Sequence, residues 1–362
     1  MLSCALLGLT LSAAPVGLAE NVVVIVSDGL RAREVFEGAE RALMTHDLGG
    51  VESEASLVTK YWRPTREARR EALMPFIWHT VATQGQLFGE AALGSSAKVT
   101  NAQRLSYPGY NELFTGVVDP RIDSNEFDDN PNATVLEWLG QQPGVGVQAI
   151  ATWDTFFRIF NVKRSGLDVK AGWYPPFADD AVRTQSKDTI DAFYTSSTHL
   201  FGGNALDVYA YLTLKESLKE KHPKVLFLGL GETDEWMHAG RYDMALEAAH
   251  RADAFMADLW ATMQAMPEYA GKTTFIITAD HGRGSGTRNW KNHESAMAGA
   301  EDIWVAAIGP SVPALGSRSG AHVTLSQVAA SVGQAIGYDW HSQRPDAAAA
   351  IDFAPVEHHA AR

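Results

Sequence analysis

Residues 21–30 read Asn-Val-Val-Val-Ile-Val-Ser-Asp-Gly-Leu, and this stretch decides the fold. Val22–Val26 is an unbroken β-branched run with no polar residue on alternate positions. Such a strand must be covered on both faces, the pattern of a parallel strand inside an α/β sheet. Asp28-Gly29 supplies its exit turn. Similar runs occur at Val225–Leu230 (VLFLGL), Thr273–Ala279 (TTFIITA) and Ile303–Ile308 (IWVAAI), with a weaker one at Val147–Thr152 (VQAIAT). Helical patterns lie between them, over Arg63–Val81, Thr134–Leu139, Leu206–Lys219 and Met244–Met266. The last carries Met244, Leu246, Ala249, Ala252, Phe255, Met256, Leu259 and Trp260 on one broad apolar stripe. Strands alternating with helices predict an α/β fold, a mostly parallel central sheet sandwiched between helices.

The rest of the chain is consistent with one such unit. Of 362 residues, 46% are hydrophobic and 20% charged, as in soluble globular proteins. The formal charge is −13, which argues against a scaffold that grips nucleic-acid phosphates through clustered Lys and Arg. Cys4 is the single cysteine, so a disulfide framework, a Cys-rich zinc site and an iron–sulfur cluster are excluded. Met1–Ala19 has no charged residue, and Gly17-Leu18-Ala19 puts small residues at −3 and −1 of a cut before Glu20. That segment reads as a signal peptide, and its apolar run is shorter than the roughly 20 residues of a membrane span. The expected organisation is a signal peptide over 1–19 and one catalytic domain over 20–340. A rim insertion near 153–200 and a loosely ordered tail over 341–362 complete it. A secreted or periplasmic location follows from the first element.

Ligands of open α/β sheets bind beyond the carboxyl ends of the strands, and there the chemistry collects. Strand one ends in Asp28; Val225–Leu230 runs into Glu232-Thr233-Asp234-Glu235-Trp236-Met237-His238; Thr273–Ala279 ends in Asp280-His281-Gly282; His293 follows. Each motif alone has a plain structural reading as a turn, an ion pair or a cap. Together, three Asp and three His supply six oxygen and nitrogen ligands suited to two Zn²⁺ or Mn²⁺ ions. Ser106, in Ser106-Tyr107-Pro108-Gly109-Tyr110, opens a helical segment ending at Thr115-Gly116. Its hydroxyl would face the positive end of the helix dipole, although a Ser-x-Pro is also an ordinary N-cap. His79, His250 and His322 have no partner motif. Trp153, Phe156, Phe157, Phe160 and Trp173 read as core before they read as a base or lipid pocket. Glu232 and Glu235 flank Asp234 as solvated carboxylates or as groups tuning the site.

In this order, Asp28, Ser106, Asp234-x3-His238, Asp280-His281 and His293 resemble the alkaline-phosphatase superfamily, and within it the type I phosphodiesterase/nucleotide pyrophosphatase branch. The Ser106 to Thr115-Gly116 spacing and the strand ending in Gly309-Pro310 are similar to that branch. The resemblance implies an alkaline-phosphatase-like fold. It also implies a phosphate-ester hydrolase with Ser106 as nucleophile, a phosphoseryl intermediate and two divalent metals, Zn foremost and Mn as the alternative. Asp28, Asp280 and His281 would hold one metal, which also touches Ser106; Asp234, His238 and His293 would hold the other. Asn125 would bind a phosphate oxygen, displaced by about two residues from the branch's usual position, and Arg104 is the nearest arginine. Gly109-Tyr110 replaces Asn-His, a change bearing on leaving-group preference. Tyr110 stands where sulfatases carry Arg, which argues against a sulfatase. Two other classes share parts of the pattern: a phosphate mutase of the cofactor-independent phosphoglycerate type, and a non-catalytic metal-dependent binding protein. The mutases have a second substantial domain, and a decayed enzyme should have lost some of the seven site residues. The expected partner is a small phosphate ester.

Overall fold

A computed structural model describes residues 18–354. The expected signal peptide falls outside the described residues except for Leu18 and Ala19; Ala19 is buried, and its N–H donates to the Ala335 carbonyl. Eleven strands follow: β1 (Asn21–Ser27), β2 (Gln86–Phe88), β3 (Ser96–Lys98), β4 (Val147–Ala151), β5 (Asp168–Ala171), β6 (Val225–Leu230), β7 (Thr273–Thr278), β8 (Asp302–Ile303), β9 (Val305–Ile308), β10 (Gly316–Ser317) and β11 (His322–Thr324). Eight form one sheet in the order β10-β2-β9-β7-β1-β6-β4-β5, and the other three a small sheet, β11-β3-β8.

β1 lies in the interior of the large sheet, buried at every position, as its β-branched run requires. Its neighbours β6 and β7 both run parallel to it. Register places the site: Ser27 pairs with Leu230 and Val26 with Thr278. Asp28, Gly231 and the Ala279-Asp280 turn therefore emerge at one level of the carboxyl rim. The 23-residue helix Tyr242–Gln264 buries Leu246, Ala249, Ala252, Met256 and Leu259, while Met244, Phe255 and Trp260 lie partly buried beside them. The fold is thus α/β with a large, mostly parallel sheet flanked by helices.

Several boundaries differ from the sequence reading. Arg63–Val81 is not one helix: Arg66–Leu73 stops before Pro75, which cannot continue it, and Ile77–Val81 is a π-turn. The run Ile303–Ile308 divides at Trp304 between the two sheets, and β9 pairs antiparallel with β7 and β2. The segment 153–200 is more than a rim insertion, since its β5 forms an edge of the large sheet beside β4. Residues 341–354 are packed rather than loose. Ile351 is buried and donates its N–H to Ser331 Oγ; Ala348 N–H reaches the Gly116 carbonyl; Gln86 Nε2 holds the Phe353 carbonyl. The tail beyond Ala354 lies outside the described residues.

Candidate metal centre and nucleophile

The seven residues singled out in the sequence meet at the carboxyl rim. His281, wholly buried, points Nε2 to Asp28 Oδ1 at 3.3 Å, Asp280 Oδ2 at 3.5 Å and Asp234 Oδ1 at 3.8 Å. Ser106 Oγ lies 3.2 Å from the same nitrogen. Ser106 is the first residue of the helix Ser106–Thr115 and Leu105 is the N-cap, so the hydroxyl faces the cluster instead of capping. On the outer side, His238 Nε2 is 3.3 Å from Asp234 Oδ2 and 3.0 Å from His293 Nε2, and His293 Nε2 is 3.9 Å from Asp234 Oδ1. Two donor sets are close enough for a single ion each, Asp28/Asp280/His281 and Asp234/His281/His293. His281 belongs to both, and His238, expected as the third ligand beside Asp234 and His293, lies outside the second set, although its Nε2 is near both of them.

The donors fit divalent cations on a specific ground. Asp28 Oδ1 and Asp280 Oδ2 are buried without a hydrogen-bond partner, a costly arrangement that a bound cation would relieve. Burial and the neighbouring Asp28 carboxylate push Asp280 up to about 8. Burial opposes charge on His281, but Asp280 and Asp28 outweigh it and raise the imidazole to about 9. Burial, then His281, depress both His238 and His293, which holds them in the neutral form that ligates metals. His293 is further oriented by its Nδ1, 2.7 Å from the Arg104 carbonyl, which leaves Nε2 for the cluster.

Asn125 also reaches the site. Its Oδ1 accepts the Tyr107 N–H at 2.9 Å, at the start of the nucleophile's helix. Arg104 turns away: its backbone is left-handed (φ 55°), and Nη1 reaches the Ser295 and Met297 carbonyls and Glu301. Gly109 and Tyr110 are buried against the aspartates of the cluster. A Cβ at Gly109 would meet the Asp280 carbonyl oxygen at 2.3 Å, so glycine here permits the close approach of helix and strand end. Tyr110 is buried against Phe156 and Phe227, and its hydroxyl donates to Asp28 Oδ2 at 3.2 Å. Burial, with Asp28 and Asp280 near, keeps that phenol protonated well above its ordinary range.

Arg283 escaped the sequence reading, and so did the contact of Tyr110 with Asp28. Tyr110 was legible as the residue one turn after Ser106, on the same helix face. Arg283, two residues past His281, is buried and ion-paired with Asp234. Among the other residues considered, Glu232 is taken up by the Asp207 N–H and Arg251, and Glu235 by Asn204. His79 pairs with Glu71, His250 bonds the Leu73 carbonyl and His322 bonds Ser96; none joins the cluster. Phe156 and Phe160 are core, Trp153 and Phe157 pack against it, and Trp173 packs on a smaller cluster around Phe177 and Ile190.

The fold is similar to three solved structures. One is a protein in the alkaline phosphatase superfamily from Vibrio parahaemolyticus (TM-score 0.53, 14% identity, 90% of this chain and 68% of that chain). Another is the lipoteichoic acid synthase LtaP from Listeria monocytogenes (TM-score 0.56, 10% identity, 88% and 72%). The third is the phosphonate monoester hydrolase of Agrobacterium radiobacter (TM-score 0.54, 11% identity, 88% and 74%). No curated protein matches the chain in sequence. Residues 75–310, however, match the family described as type I phosphodiesterase / nucleotide pyrophosphatase. That span takes in Ser106 and every later member of the cluster, omitting only Asp28 on the central strand, and the chain therefore belongs to the type I phosphodiesterase/nucleotide pyrophosphatase family, with the fold of the alkaline phosphatase superfamily.

Proposed function

We propose that the protein hydrolyses small phosphate esters, diesters foremost, with Ser106 as the nucleophile. The observation that carries this reading is the placement of Ser106 Oγ 3.2 Å from His281 Nε2, a nitrogen no more than 3.8 Å from a carboxylate oxygen of each site aspartate. Asp28, Asp280 and His281 would hold one divalent ion, and Asp234, His238 and His293 the other. Zn suits these donors best, with Mn the alternative. Bound there, the metals supply Lewis-acid charge and lower the pKa of a neighbouring hydroxyl or water.

The chain's own residues do the rest. Ser106 Oγ, its proton given up to solvent, bonds to phosphorus as the bond to the leaving oxygen breaks and that alkoxide takes a proton from water; a second water then cleaves the phosphoryl–serine bond, leaving its OH on phosphorus and returning a proton to the serine oxygen. Asn125 has Oδ1 committed to Tyr107, leaving Nδ2 as a donor to a non-bridging phosphoryl oxygen. Tyr110 holds Asp28 so that Oδ1 stays on the cluster side. With Arg104 tied to carbonyls and Glu301, it is not poised as a clamp for the extra charge of a monoester, which favours diesters. Bis-p-nitrophenyl phosphate should be hydrolysed with a higher kcat/KM than p-nitrophenyl phosphate; a strong monoester preference would reverse the assignment. The uncharged Met1–Ala19 segment is the ground for placing the mature protein outside the cytoplasm. No helix among the described residues is long and apolar enough to cross a membrane.

Metal loading should release protons. In the metal-free chain burial and Asp28 favour a proton on Asp280, while Asp280 and Asp28 favour one on His281, and whatever proton this pair holds must leave for both to ligate. Apparent affinity should therefore rise with pH towards 9 and fall below it. Calorimetric zinc titrations at pH 7, in two buffers of different ionisation enthalpy, should report net proton release; no release would contradict the ligand set.

A further inference from the structure

We propose that the two metal positions are unequal and that Arg283 makes them so: the Asp28/Asp280/His281 position holds its divalent ion tightly, and the Asp234/His238/His293 position holds its ion weakly and exchangeably. This rests on the metal-dependent reading above. Ligand charge separates the two positions first. The inner set offers two carboxylates, and two of their oxygens, Asp28 Oδ1 and Asp280 Oδ2, are buried without a hydrogen bond, facing only His281 Nε2 at 3.3 and 3.5 Å. The outer set offers one carboxylate and two imidazoles, and that carboxylate is already claimed on both oxygens. The Arg283 guanidinium ion-pairs with Asp234 Oδ1, and His238 Nε2 faces Oδ2 at 3.3 Å. Counting Asp234 and Arg283 together, the outer set has no net negative charge, whereas the inner set has two in its deprotonated, ligating form, although Arg283 lies near Asp28 as well.

Arg283 is not a surface cation that swings aside freely. Its side chain is wholly enclosed, and it also donates to the backbone carbonyls of Asp234 and Lys291. A cation at the outer position must therefore either share Asp234 with this guanidinium or displace it. A cavity of about 430 Å³ lies beside Arg283, but Arg31 and Arg33 stand in its wall with Glu37 and Asp302, so it offers a displaced guanidinium no net negative charge. Exposure acts in the same direction. Asp280 and His281 are fully buried, whereas the His238 side chain is 41% exposed, so the outer ion has the shorter route to solvent. Ligand charge count and site rigidity set divalent affinity, and a fixed positive charge about 5 Å from a divalent ion weakens binding about tenfold even at the dielectric of water.

Zinc titration of the chelated wild-type chain, by calorimetry and by metal counting after dialysis against low zinc, tests this directly. Two classes of site are expected, with one ion retained through dialysis and one lost. Arg283→Met should tighten the weaker class by about tenfold or more, and Arg283→Gln should do the same. Arg283→Lys, which keeps the charge, should resemble wild type, and Asp234→Asn should abolish only the weaker class. Two equal sites in the wild type, or a weaker site left unchanged or loosened by both neutral variants, would overturn the inference. A chain that binds no zinc at all would instead overturn the metal-dependent reading beneath it.

Discussion

Ser106→Ala is expected to lower the turnover of bis-p-nitrophenyl phosphate by on the order of 10⁴- to 10⁶-fold, the scale on which enzymes lose activity when a covalent nucleophile is removed. The change deletes one oxygen, the atom 3.2 Å from His281 Nε2, and leaves all six Asp and His side chains of the cluster in place. Leu105 is the N-cap and Ser106 makes no capping bond, so the helix Ser106–Thr115 should keep its stability. Metal content, thermal midpoint and circular dichroism should match wild type. A variant that keeps more than a few per cent of activity would remove Ser106 from the chemistry, while one that loses its metals would show the hydroxyl to be a structural ligand.

Chelation should have the second-largest effect, on two independent readouts. Without cations, the buried Asp28 Oδ1 and Asp280 Oδ2 have no hydrogen bond and face only His281, and protons held within the cluster must offset the proximity of the carboxylates. Activity should fall to background with EDTA and return with zinc or manganese. Stability should follow by mass action, with about 4 kcal/mol recovered at a metal concentration a thousand times Kd. Both are checked by assay and thermal melting across a zinc titration. Full activity in excess EDTA would rule out the metal-dependent reading.

How much of this was legible beforehand differs by element. β1, β6 and β7 were readable because burial on both faces leaves a long apolar run, and their parallel register carries the motifs at their ends to one rim. The cluster was readable because its ligands follow strand exits in an ordered series. Short, half-buried pieces carried no such signal: β5 has four residues, three of them only partly buried, and nothing in Asp-Val-Lys-Ala marks a sheet edge. The alanines before Ile351 suggested a loose tail, yet backbone bonds to Gly116 and Ser331 hold it, contacts between residues far apart in sequence. The same reason hid Arg283 and Tyr110. Each acts on a carboxylate from a distant segment, Asp234 and Asp28, and only the folded chain brings them together. Gly109-Tyr110 looked like a change facing the substrate; the helix instead turns both residues inward.

The central claim is that phosphorus passes through Ser106 on its way to water, and the stereochemical course at phosphorus tests it most directly. Hydrolysis of a phosphorothioate diester of known configuration in ¹⁸O-labelled water proceeds either by two in-line displacements or by one. Transfer to Ser106 followed by transfer to water predicts overall retention. Inversion would mean that water attacks the diester in a single step, and would contradict the covalent role of Ser106.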